Sequence, residues 1–481
     1  MRHFERGLHA TPDIAASTSG APVPIPASKS AIFLPADQYL HRGAPTEWWW
    51  HVGTLQSGDR IFGFEINAAA FSDRGYAFSQ IMLTDVANAK HYQRTTLYTP
   101  PIGIDFNNWA QHDVTKDWHV GLGSAGNCLS AIEVTNPGKG YSSAPTIEIT
   151  GGGGSQAIAY AMPVSGEILT VQLTNPGRGY TSAPRVSISG GGGTGATARA
   201  VHSYVTMDAP WGDPTKGMAV VALLMDQASN TEIYFDLMLS QQGPPFIVWG
   251  TGVGAILLPP SRGTHLQTNN YYYSLTRLAA SGSITIGGEK FAVSGRTWMD
   301  HEYGYFGTSA KPVKWVLQDA QLDNDWTLSN FAVLGDGPPK LNQPTPSLVT
   351  LQDTAGAMYF QIALLTPVGN TWTSPASGIT YFMQFKIDIP AFAASLNISS
   401  LVDAQEFPSG KRAGVYEGVA AATGTFAGKP VSGTAWNEQA LRNQPRPNNA
   451  MALLRPILMR SASAISAESN HAQPCMWSSN G

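Results

Sequence analysis

Charge is what this sequence has least of. Only 13% of its 481 residues are charged, and 29 basic against 33 acidic residues leave a formal net charge of −4. That balance excludes the basic surface that nucleic acid or anionic lipid requires. Cysteine is almost missing: Cys128 and Cys475 are the only two. Their separation gives neither a disulfide framework nor a metal-ligand spacing, and it leaves the redox compartment open. No apolar run approaches the roughly 20 residues of a membrane-spanning helix. The N-terminal segment has early charge but no apolar stretch, so no intact signal peptide is read there. Several catalytic patterns are missing as well. His301 and Glu302 are adjacent and do not make HExxH. There is no GxSxG elbow and no Walker A loop, and the glycine runs at 151–154 and 190–193 lack the following Lys-Ser/Thr.

Turn formers and apolar residues are plentiful. The chain has 50 Gly, 33 Pro and 43% hydrophobic residues, a composition that suits many short strands joined by tight turns. Segments 47–55, 60–70 and 75–83 read as successive strands, separated by Ser57-Gly58-Asp59 and Ser72-Asp73-Arg74-Gly75. Long helical periodicity is scarce; an Ala-rich stretch at 390–398 could supply a short helix. The expectation is an all-β chain. Residues 1–30 read as a disordered N-terminal segment, 31–262 as a first barrel, 263–441 as a second, and 442–481 as a disordered tail.

The first barrel is interrupted by an internal repeat. Residues 132–141, IEVTNPGKGY, are echoed by 171–180, VQLTNPGRGY, a spacing of 171 − 132 = 39. Each copy reads as strand, Pro-Gly turn, strand, glycine loop, strand. The segment 127–202 is therefore predicted to be a small inserted β module. It is either a glycan- or surface-contacting unit or a passive insertion at a loop tip, removable at little cost.

Three clusters carry candidate chemistry. In Thr46-Glu47-Trp48-Trp49-Trp50-His51, strand alternation puts Glu47, Trp49 and His51 on one face. They are either a functional acid and imidazole around an indole or a packed strand with a structurally paired Glu. In Arg296-Thr297-Trp298-Met299-Asp300-His301-Glu302-Tyr303, alternation groups Trp298, Asp300 and Glu302 against Met299, His301 and Tyr303. Two carboxylates on one face of an apolar strand are costly unless partnered or used. They either share a raised pKa, as a general acid would, or pair with Arg277 or Arg296. Tyr271, Tyr272 and Tyr273 are barrel wall or cavity hydrogen-bond donors. Glu47, Asp300 and Glu302 are predicted to converge in one apolar cavity, near His51 or His301.

These segments, with the late YEGVAAATGTFAGKPVSGTAWNE at 416–438, resemble the lipocalin-like proteins with an AttH-type domain. That family includes carotenoid 1,2-hydratase (hydroxyneurosporene synthase) and kievitone hydratase. Lipocalin-like Diels–Alderases look like relatives, and many bacterial members are labelled predicted secreted hydrolases. The resemblance covers residues 32–120 and 203–440. It implies two lipocalin-like antiparallel barrels with a ligand site in or between them. The family's Glu-Trp-Trp falls on Glu47, Trp48 and Trp49, its Trp-Met-Asp-His-Glu on residues 298–302, and its late Glu on Glu438. The repeat module and the tail depart from the pattern.

The functional reading is a cofactor-independent enzyme acting on an apolar small molecule, isoprenoid or polyketide-like. Its reaction would be acid-catalysed hydration of a carbon–carbon double bond. Asp300, Glu302, Glu47 and His301 are the catalytic candidates, with Trp49, His51, Trp298, Tyr303 and Tyr272 at the substrate. A pericyclase and a non-enzymatic carrier of a hydrophobic ligand are the alternatives. No metal, nucleic acid or transmembrane segment is expected. The chain reads as soluble, and the resemblance leaves an extracytoplasmic location open.

Overall fold

The computed structural model describes residues 22–100, 104–123, 128–210, 212–253, 265–306, 314–334, 339–409 and 412–441. The first sheet opens with a meander: β1 (Thr46–Ser57), β2 (Arg60–Phe71), β3 (Tyr76–Asp85) and β4 (Lys90–Tyr98), followed by β5 (Trp118–Leu122). The insert supplies β6 (Ala131–Lys139), β7 (Thr146–Thr150), β8 (Ser155–Tyr160), β9 (Gln172–Arg178), β10 (Arg185–Ser189) and β11 (Thr194–Val201). The sheet resumes with β12 (Tyr204–Ala209), β13 (Gly217–Met225), β14 (Glu232–Gln241), the short β15 (Phe246–Ile247), β16 (Asn270–Ile286) and β17 (Glu289–Gly304). Its order is β4-β3-β2-β1-β17-β16-β14-β13-β12-β5, a nearly closed barrel whose ends are β4 and β5. Alternate residues of each strand fill the lumen: Trp49 and Leu55 from β1, Phe62, Phe64 and Ile66 from β2, Ile233, Phe235 and Leu237 from β14.

The second barrel is built from β18 (Lys314–Leu322), β19 (Thr327–Leu334), β20 (Thr345–Gln352), β21 (Met358–Thr373), β22 (Thr380–Ile389), β23 (Ala394–Ser400), β24 (Glu406–Pro408), β25 (Gly414–Phe426) and β26 (Lys429–Ala440). Pairing of β23 with β25 and of β26 with β18 closes eight of these strands on themselves. Closure leaves no free edge. The all-β, two-barrel architecture agrees with the sequence reading.

Three expectations change. The boundary at 262/263 is too early, because β16 and β17 hydrogen-bond to β14 and β1 and complete the first barrel. Sequence order places the long hairpin of Tyr271 to Gly304 with the strands that follow it, whereas strand pairing joins it to β1, near the start of the chain. The 390–398 stretch forms one 3-10 turn, Pro390–Phe392, and then β23. Residues 22–30, expected to be disordered, are ordered against both barrels: Ile25 N–H donates to Met358 O, and the next residue after them, Ala31, donates to Thr251 O. Residues 1–21 and 442–481 lie outside the described residues, as does Cys475; Cys128 is buried and carries no free thiol.

The insert emerges between β5 and β12, which pair directly (Leu122 opposite Val205), so it elaborates a hairpin tip. Its two repeats interlock. The first strand of each copy pairs with the third of the other, and the second strands pair together: β6 with β11, β8 with β9, β7 with β10. Neither copy can bury its apolar face alone. The equivalent Tyr141 and Tyr180 are both buried. Among the described residues, no helix is long and apolar enough to cross a membrane.

Candidate active site between the barrels

The face of β1 and β17 that points away from the first lumen packs on β25 and β26 of the second barrel. Val52, Met82 and Trp298 meet Phe407, Val419 and Trp436 there. The approach is close: a Cβ on Gly63 of β2 would stand 2.4 Å from Val419 Cβ. Beside this apolar layer the two barrels contribute six carboxyl groups. Glu65 comes from β2, Asp300 and Glu302 from β17, Asp319 from β18, Glu417 from β25 and Glu438 from β26. Glu417 and Glu438 are directly opposite across their ladder, an arrangement that like charges destabilise. Glu65, Glu302, Asp319 and Glu417 are buried; Asp300 and Glu438 keep partial exposure.

Among the described residues no ion pair reaches any of the six. Arg277 and Arg296, the cations that a structural reading would require, are engaged elsewhere. Arg277 donates to the carbonyls of Asp325 and Asp353, and Arg296 lies 3.9 Å from the Asp325 carboxylate. The donors supplied instead are neutral, and indoles dominate. Trp298 Nε1 donates to Asp300 Oδ1 at 2.7 Å, Trp436 Nε1 to Glu417 Oε2 at 2.8 Å and Trp315 Nε1 to Glu438. Glu65 Oε1 accepts from Asn67 Nδ2 at 3.0 Å. Ser274 Oγ donates to Asp300, and Asn270 Nδ2 to Glu302.

Neutral donors cannot repay the removal of a carboxylate from water, so the protonated form wins. Burial pushes the Asp300 carboxyl up to about 6, against the hydrogen bonds of Ser274, Trp298 and Tyr272. Burial pushes Glu438 up to about 7, against the Trp315 N–H and aided by the Asp300 charge. Burial, with the neighbouring acids adding to it, holds Glu65, Glu302, Asp319 and Glu417 well above the usual carboxylate range. Two partly exposed acids raised to about 6 and about 7 therefore sit among four held well above the usual carboxylate range. A proton donor at this seam is available at physiological pH.

The sequence-predicted residues divide. Asp300, Glu302, Trp298 and Tyr272 reach the seam. Glu47, Trp49, His51, His301 and Tyr303 point into the first lumen, because Glu47 stands opposite Tyr303 and Trp49 opposite His301 on the other face of the same two strands. The predicted convergence of Glu47 with Asp300 and Glu302 is thus wrong. The alternation within each strand was read correctly, but which face of β1 matched which face of β17 was not. Glu65, Asp319 and Glu417 were missed, although each is an acid embedded in an apolar strand, the criterion that singled out Asp300.

A family model described as AttH-like matches residues 171–438, more than half of the chain. The chain belongs to the AttH-like family. Two solved structures share the fold of this AttH-like protein. An AttH protein of Nitrosomonas europaea aligns with a TM-score of 0.52 at 17% identity, covering 88% of this chain and all (100%) of that one. Kievitone hydratase of Nectria haematococca aligns with a TM-score of 0.51 at 14% identity, over 89% of this chain and 97% of that one. At these identities the likeness is one of fold. No curated protein matches the sequence.

Proposed function

We propose that this AttH-like protein hydrates a carbon–carbon double bond in an apolar substrate held at the seam between its barrels, without a cofactor. The observation that carries the reading is the cluster of six carboxyl groups with indole donors in place of cations. The hydratase among its structural neighbours agrees with it. Glu438 or Asp300, in its protonated form, gives its proton to one alkene carbon. The π pair becomes the new C–H bond and leaves a cation on the other carbon. The aromatic groups at the seam, Trp50, Trp298, Trp436 and Tyr272, stabilise that cation. Water bonds to the cation through oxygen, and the carboxylate just formed takes the proton released. Alkene and water are consumed, alcohol is formed, and the acid is restored. Trp49 and Tyr303 face the lumen and have no part in this step.

The test begins with mass spectrometry of whatever co-purifies with the protein, to fix the apolar scaffold. Candidate alkenes of that scaffold are then incubated in isotopically labelled water. A product carrying one labelled oxygen supports hydration. An unlabelled product isomeric with the substrate supports a pericyclase, and release of unchanged ligand supports a carrier.

A further inference from the structure

Alternation lines the seam in successive rows. Thr54 and Arg296 stand opposite each other on β1 and β17, as Gln321 and Thr434 do on β18 and β26. Arg296 is exposed and Thr434 half-buried, so this row forms a mouth. Two residues deeper on each strand come Val52 opposite Trp298 and Asp319 opposite Trp436. The next step along β17 and β26 reaches Asp300 and Glu438, the two partly exposed acids. A small cleft runs between the first two rows, and residues of both rows line it from both barrels. About 20 Å³ of it is open to the centre of a water molecule, and one water needs about 10–15 Å³ of such space. The cleft therefore admits water and excludes a carbon skeleton.

The polar groups of the cleft form a track toward the acids. Gln321 Nε2 crosses the seam and donates to Thr297 O at 3.0 Å. A carbonyl only accepts, so this bond fixes the amide's orientation and turns Oε1 the other way. That oxygen is buried and has no hydrogen-bond partner among the described residues; buried polar atoms rarely stay so, and water is their usual partner. Asp319 follows on the same face of β18, opposite Trp436. Burial pushes its carboxyl up, and the Asp300 and Glu438 charges add to this, against Ser329; Asp319 thus stands within reach of both acids. Around it the row is apolar: Val52, Trp298 and Trp436. We propose that this cleft is the water entrance of the seam, and that Gln321 and Asp319 are positioning residues that pass the attacking water to the cation formed beside Asp300 or Glu438. The inference rests on the hydration reading and adds to it the route and the orientation of the nucleophile.

Crystals of the full chain test the water itself. Ordered water bonded to Gln321 Oε1 is the expected result, and high-resolution maps without it overturn the proposal. Turnover in isotopically labelled water then tests its role, on the alkene that co-purification identifies. Thr434→Leu narrows the mouth and Gln321→Leu removes the amide; neither replaces a proton donor. Each should lower the labelled alcohol by about 10²-fold with ligand binding unchanged. The cation left waiting should instead return a proton from a neighbouring carbon to the carboxylate, giving an unlabelled isomer with a shifted double bond. A merely structural role would lower Tm and leave the ratio of alcohol to isomer unmoved. Thr434 is half-buried, so its variant decides the matter should Gln321→Leu fail to fold. Undiminished alcohol at an unchanged ratio overturns the entrance and leaves hydration standing. Wild-type protein that forms no labelled alcohol from any candidate alkene overturns hydration, and the entrance with it.

Discussion

His301 and Glu302 are adjacent in sequence yet face different compartments: His301 Nε2 lies 3.1 Å from Glu47 in the first lumen, while Glu302 accepts a hydrogen bond from Asn270 at the seam between barrels. Strand alternation makes this unavoidable, since successive side chains leave a sheet on opposite sides. One dipeptide therefore serves two sites with opposite electrostatics. Glu47, whose carboxylate burial would push up, is held low by the His41 charge and by hydrogen bonds from His301 and His41. Glu302 is held high by burial.

Stability should fall as pH rises through the neutral range. The Asp300 and Glu438 carboxyls are raised in the folded state from 3.8 and 4.5 to about 6 and about 7. Below the lower values both groups are protonated in folded and unfolded chains alike. Above them the unfolded chain loses its protons first, so the protonated folded state loses its advantage until the folded groups also ionise. For Glu438 the effect is about 3 kcal/mol. Urea unfolding from pH 4.5 to about 8 checks the slope, and Glu438→Gln should flatten it.

Substitution of either partly exposed acid should separate chemistry from binding. Asp300→Asn and Glu438→Gln are expected to lower the hydration rate by about 10²–10⁴-fold with ligand binding little changed. Stability near pH 7 should hold or rise, because an amide keeps a donor without carrying a charge. A structural ion-pair partner would behave otherwise, costing about 3–5 kcal/mol when removed. Paired measurements of turnover and of the denaturation midpoint decide between the two.

Gly63→Leu should open the seam. Any side chain there enters Val419, whose Cβ would be 2.4 Å from the new Cβ, and overpacking of this kind costs about 1–3 kcal/mol. Both barrels keep their own cores, so the expected signature is a lower Tm with exposed apolar surface, read by dye binding, rather than loss of strand signal in circular dichroism.

The insert is less separable than its sequence suggests. Arg94 of β4 is buried and donates to Glu133 of the insert at 3.1 Å, and Arg199 of the insert reaches Glu133 and the Gln227 carbonyl. Replacing the insert by a short linker leaves the Arg94 guanidinium buried with only the Met225 carbonyl among those partners. A loss of about 3–5 kcal/mol is expected, and Arg94→Met in the same deletion should restore most of it. Denaturant midpoints of the two deletions check this.

Much of the fold was legible before any coordinates. Alternation and turn residues located β1, β2 and β3 to within one or two residues of their ends, and the 39-residue echo located the insert. The acids of the second cluster were legible too, since Asp300 and Glu302 between apolar neighbours violate the usual rule for strands. Three things were decided only by tertiary structure. Pairing of β17 with β1 set the domain boundary, and a strand partner 250 residues away leaves no local trace. The face on which each barrel meets the other sent Glu47 into a lumen and Glu302 to the seam. Closure of the second barrel brought Glu417, Glu438 and Asp319 against Glu65 and Asp300. The sequence by itself determined which side chains share a face, because backbone geometry fixes a period of two. Which faces meet depends on long-range pairing and burial, and those are properties of the assembled chain.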